Sequence, residues 1–171
     1  MTSSLPEPWL RGPLPGIPPL LQPAAHAFVM AREDVTAAVA GLTPDAWWLE
    51  PGGIAPVGFH LAHLAGSTDR LLTYARGEAL SEAQRDALAR ERTLTADRPA
   101  PERLLSAWHD TVAAALAQLA STLEHDLLRP REVGRARLPS TLVGLLFHAA
   151  EHASRHTGQI VTTAKLVRGL R

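Results

Sequence analysis

Apolar residues recur at intervals of three and four along most of this chain, and Pro and Gly punctuate the recurrence. Phe28, Val29, Met30, Val35 and Val39, with alanines between them, predict a helix over residues 24–40. Pro23 suits its first turn and Gly41 its end. A loop follows, with a short helical turn at 43–47 and breakers at Pro51, Gly52 and Gly53. A second long helix is predicted over 56–76, stopped by Gly77. Ser81 caps a shorter segment, SEAQRDALARER, whose polarity predicts an exposed helix. Leu104, Leu105, Trp108, Val112, Leu116 and Leu119 form the apolar stripe of a third long helix over 101–123. A loop rich in Arg and Pro, LLRPREVGRARLP, leads to Ser140 as the expected N-cap of a fourth long helix reaching Val167. No segment alternates with period two, so no sheet is expected. Four long amphipathic helices with one capping segment predict an all-α four-helix bundle.

The first 23 residues break this pattern. Seven prolines forbid helix, while Trp9, Leu10, Leu14, Ile17, Leu20 and Leu21 are too apolar for a free tail. They predict a Pro-rich extended arm over 1–23, lying on a bundle domain of residues 24–171 or on a partner subunit.

Composition narrows the classes of function. At 171 residues, 46% hydrophobic and 20% charged, the chain has the makeup of a globular domain with a proper core. Its 17 basic and 17 acidic side chains cancel, which argues against nucleic acid or an anionic membrane as main partner. There is no cysteine, so a metal would have to be held by His and carboxylates. No apolar run approaches the roughly 18–20 residues of a membrane helix, and no signal peptide is evident. A cytoplasmic protein is the expectation.

The candidate chemistry lies in the run HAAEHASRHTGQI, where His148, His152 and His156 stand four residues apart. A step of four turns an α-helix by one turn plus about 40°, which stacks the three imidazoles along one face. On the helical wheel His152 and His156 fall within the apolar sector of Leu145, Ala149, Ala153, Ile160 and Ala164, and His148 falls towards its edge. Two inward imidazoles need partners, because an unsatisfied buried polar group costs roughly 1–3 kcal/mol. A shared metal would satisfy both. A second pair, His60 and His63 in FHLAHLAG, lies on the second helix. His60 sits inside that helix's apolar sector and His63 on its flank with Ser67, Arg70 and Tyr74, and the wheel alone does not choose between the two. His26, His109 and His125 have no such neighbours. The Trp47–Trp48 pair reads as a hydrophobic plug, and Arg129, Arg131, Arg135 and Arg137 as a solvated loop within reach of an acidic substrate.

With these residues in view, the chain resembles the DinB/YfiT-like superfamily of bacterial proteins. HAAEHASRHTGQI is similar to that family's H-x-x-x-H-x-x-x-H-x-G-Q, and FHLAHLAGSTDRLLTYARGE resembles its ligand-bearing second helix. The resemblance covers roughly residues 24–168. It implies an up-down-down-up four-helix bundle and a divalent transition metal (Zn, Ni or Fe) held by His63, His152 and His156. His63 is chosen over His60 because the small-residue stretch Leu64-Ala65-Gly66 follows it. His60, His148 and Gln159 become neighbours of the site or alternates, and Gln159 and Glu151 become candidates to orient a ligand or the neighbouring helix. The resemblance further implies a metal-dependent enzyme acting on a small molecule. The classes are a transferase using a low-molecular-weight thiol, such as bacillithiol or mycothiol, or a hydrolase. Arg70 and Tyr74 are the candidate catalytic groups, for a substrate carboxylate and a proton respectively. The alternative is a non-catalytic metal-binding or stress-response bundle. A homodimer is expected in either case.

Overall fold

The computed structural model describes residues 6–170. Four long helices dominate: α1 (Gln22–Val39), α2 (Val57–Ala75), α5 (Pro101–Ser121) and α6 (Leu142–Gly169). Between α2 and α5 lie the short helices α3 (Glu82–Arg90) and α4 (Leu94–Asp97). In the bundle α6 packs against α1 and α2, and α5 against the same two from the other side.

Polar contacts at the helix ends give the directions. Arg168, in the last turn of α6, donates to the carbonyls of Ala38 and Ala40 at the end of α1, so these two helices run parallel. Gln118, near the end of α5, bonds Arg76 and the carbonyl of Leu72 at the end of α2, so this pair is also parallel. His60 lies beside His156, and Ser67 beside His152, which makes α2 and α6 antiparallel. The bundle is therefore up-down-down-up, as the resemblance implied.

The apolar stripes meet along the bundle axis. Phe28, Val35, Leu61, Leu64, Trp108, Val112, Leu119, Leu146, Ile160 and Val167 are all buried. Trp47 and Trp48, on a 3-10 turn (Pro44–Trp48), are buried as a plug over α2. Gly58 makes this possible, because a Cβ there would stand 2.7 Å from the Trp48 ring. The arm packs along α1: Leu21 and Pro8 are buried, Gln22 holds Leu14 and Ile17 through their backbone, and Arg11 pairs with Glu33. Residues 1–5 of the expected arm lie outside the described residues.

Two expectations need correction. The Arg- and Pro-rich loop contains an antiparallel hairpin, β1 (Pro130–Val133) with β2 (Leu138–Thr141), in the register Pro130 opposite Thr141 and Val133 opposite Leu138. Strands of four residues are too short to show an alternation, and Pro130 and Pro139 fit this two-stranded ribbon because each strand has a free edge. The N-cap of α6 is Thr141 rather than Ser140. Thr141 has the extended backbone of a cap, and its hydroxyl accepts from the Gly144 N–H at 3.1 Å.

Candidate metal centre

The antiparallel register of α2 and α6 sets His63 opposite the gap between His152 and His156. Ring centroids are 4.7 Å apart for His63 and His156, 5.4 Å for His63 and His152, and 4.5 Å for His152 and His156. One nitrogen from each of the three lies within 4.8 Å of the others. A tetrahedral ion with metal–nitrogen bonds of about 2.0–2.1 Å sets its nitrogens roughly 3.3 Å apart. Binding would thus draw the rings together by at most about 1.5 Å, within reach of side-chain rotation.

The electrostatics keep two of these rings neutral. Burial, followed by the neighbouring His152, His63 and His60, pushes the His156 imidazole down to about 4. Burial, followed by His63 and His148, lowers His152 as well. A neutral imidazole carries the lone pair that a metal requires. The Nδ1 of His156 is buried without a hydrogen-bond partner among the described residues.

His63 is held from behind by a residue that the sequence did not single out. Glu91 follows α3 directly, and its Oε2 lies 2.7 Å from His63 Nδ1. Its other oxygen accepts from Arg70 Nη1 at 2.7 Å. Burial alone would raise this carboxyl, but the hydrogen bonds from His63 and Arg70 outweigh it and leave Glu91 below the usual range. A carboxylate on Nδ1 fixes the proton there and leaves Nε2 as the free donor atom, an arrangement common behind metal-bound histidines. Gly66 makes room for the pair: a Cβ at that position would stand 3.0 Å from Arg70 Nη1 and 3.2 Å from Glu91 Oε1. The small-residue stretch after His63 thus has a physical reason. Phe59 lies parallel to the His63 ring, at an interplanar angle of 4°.

His60 is the more buried member of its pair, as the wheel implied, and burial and the nearby His63 lower its pKa. It reaches His156, at a centroid distance of 5.7 Å, but is not one of the three converging histidines. His148 is half exposed, beside Glu151. Glu151 pairs with Arg155 on the outer face and orients none of the trio; that role falls to Glu91. Ser67 adds a second support, its hydroxyl 3.3 Å from His152 Nδ1. Gln159 is exposed and lines a small cavity with His60, Arg155 and Thr162. Arg70 is nine-tenths buried, and its Nη1 is bonded to Glu91. Tyr74 lines a cleft beyond the end of α2. Glu91 escaped sequence reasoning because it ends a polar segment, 28 residues from the histidine it bonds.

None of the curated proteins compared with the chain matches it. A family model described as the DinB superfamily matches residues 27–160, a span that contains α2, both ends of the Glu91 contact and the three histidines. The bundle topology and this match together show that the chain belongs to the DinB superfamily.

Proposed function

We propose that His63, His152 and His156 hold one divalent transition metal (Zn, Ni or Fe) and that the protein is a metal-dependent enzyme acting on a small molecule. The observation that carries this reading is the convergence of three imidazole nitrogens from two helices, one of them backed by a carboxylate. Three neutral ligands leave the ion its full charge and at least one open position, as in catalytic rather than closed structural sites. Such an ion supplies Lewis acidity, lowering the pKa of a thiol or water and polarising a carbonyl. The chain's own residues hold and orient: Glu91 fixes His63, Ser67 supports His152, and Arg70 holds Glu91 in place. The reaction classes we favour are transfer of a low-molecular-weight thiol to an electrophile, and hydrolysis. A cytoplasmic homodimer completes the reading, with Trp9, Leu10 and Leu20 of the arm exposed to a second copy. No helix among the described residues is long and apolar enough to cross a membrane.

The alternative, an ion that only staples the bundle, is less well supported, because a continuous apolar core already joins α1, α2, α5 and α6. One experiment separates the two. Chelated protein should keep its far-UV circular dichroism and cooperative melting, and should regain turnover of a thiol–electrophile or ester panel when metal is restored. Unfolding on chelation, as in structural zinc domains, favours the staple. A metal-loaded protein inert to the whole panel removes the enzyme reading.

A further inference from the structure

A second feature stands apart from the histidines. The end of α2, α3 and the β1–β2 hairpin enclose a cleft of about 1260 Å³. Small-molecule pockets commonly measure about 300–1,000 Å³, so the space suffices for a compact ligand. None of His63, His152 and His156 lines it. Along α2, Tyr74 at its margin lies eleven residues beyond His63, or about 16 Å of helix axis. Arg70, paired with the partly buried Glu91, lies on α2 between His63 and Tyr74 in the sequence.

The chain as a whole is neutral, but this cleft is not. Arg85, Arg92, Arg131, Arg135 and Arg137 line it against only Glu78 and Glu132, an excess of three positive charges. Both acids are already paired, Glu78 with Arg76 and Glu132 with Arg137. Arg131 is anchored, its Nε donating to the carbonyl of Ala75 and its Nη1 to that of Pro130, and Arg85 donates to the carbonyl of Leu80. The guanidinium groups of Arg92 and Arg135 have no hydrogen bond or ion pair among the described residues. They line the cleft from two different elements, Arg92 just after α3 and Arg135 in the hairpin turn. Tyr74, Leu80, Leu88 and Pro130 supply an apolar lining, and Leu88 remains 42% exposed there.

Guanidinium forks from two elements suit an anion, because each can bond two oxygens of a phosphate or carboxylate. The apolar lining suits a hydrocarbon or aromatic body. We propose that this cleft binds a small dianion with an apolar body, an aryl phosphate or an aryl dicarboxylate, at a site distinct from the histidine centre. The inference does not rest on metal binding.

Calorimetric titration of the full chain with 1-naphthyl phosphate, with 1-naphthol and inorganic phosphate as controls, tests it. Phthalate in a parallel arm separates a carboxylate from a phosphate ligand. The expected result is that 1-naphthyl phosphate or phthalate binds at least tenfold tighter than either control and weakens as NaCl rises from 50 to 250 mM. Arg92→Gln and Arg135→Gln each weaken binding at least tenfold, and His152→Ala leaves it unchanged. Both arginines are exposed and without a side-chain partner among the described residues, so the variants should fold, and their melting curves check this. Binding no tighter than that of the controls, or equal binding by both arginine variants, overturns the proposal. Loss of binding in His152→Ala overturns it too, since the anion would then sit on the histidines.

Discussion

Glu91 decides how well the candidate centre is organised. It is the only carboxylate hydrogen-bonded to any of the three converging histidines among the described residues, and it grips His63 while Arg70 grips it. Removing such a support from a ligand histidine commonly costs 10–100-fold in metal affinity. Glu91→Gln should therefore weaken zinc binding by about that factor in competition with a chromophoric chelator, and leave the helical content unchanged. Unaltered affinity would show that His63 needs no support. A second expectation follows from His156, whose imidazole is held at about 4 in the folded chain against an ordinary value near 6.5. Between those values the unfolded chain binds the proton more readily, so stability falls as pH drops from about 6.5 towards 4. Metal-free protein followed by thermal melting should show this slope, and His156→Ala should flatten it; identical slopes would contradict the burial of a neutral ring. At this scale the sequence was legible in part. The four-residue spacing exposed His152 and His156, and the wheel correctly ranked His60 as more buried than His63. Burial did not identify the converging ring, because that depends on where α6 crosses α2. Glu91 carried no pattern at all.

Among the elements, the amphipathic stripes made the four long helices readable, and Ser81 capped α3 as expected, with Gln84 completing a capping box. The hairpin was not readable, since two strands of four residues carry too few positions for a period to appear. It matters because it sets the entry to α6. The paired backbone of Pro130 and Thr141 delivers Thr141, not Ser140, to the position where a hydroxyl meets the Gly144 N–H. Thr141→Ala should cost about 1 kcal/mol in urea unfolding, the ordinary worth of an N-cap, and Ser140→Ala a few tenths at most. The reverse order would return the cap to Ser140. α3 is exposed at every position except Gln84, as its polarity implied, but it ends by turning one acid inward. Polarity over a whole segment reports the average face of a helix, and it hides a single inward residue just past the end.

In the whole molecule, a neutral and mainly helical chain keeps two chemically distinct regions along one helix, the histidines towards the start of α2 and the arginine cleft past its end. The directions of the long helices could not be read from periodicity, which fixes a face but not a neighbour. They follow instead from a few end contacts, such as Arg168 on α1 and Gln118 on α2. The antiparallel crossing of α2 and α6 turns two separate histidine patterns into one centre, and the proposed metal chemistry depends on that crossing. Elemental analysis of purified protein dialysed against zinc tests it most directly. Close to one ion per chain is expected in the native protein and in His148→Ala, and close to none in His63→Ala, His152→Ala and His156→Ala. A native protein without bound ion, or one ion retained when His63 or His156 is removed, would contradict it.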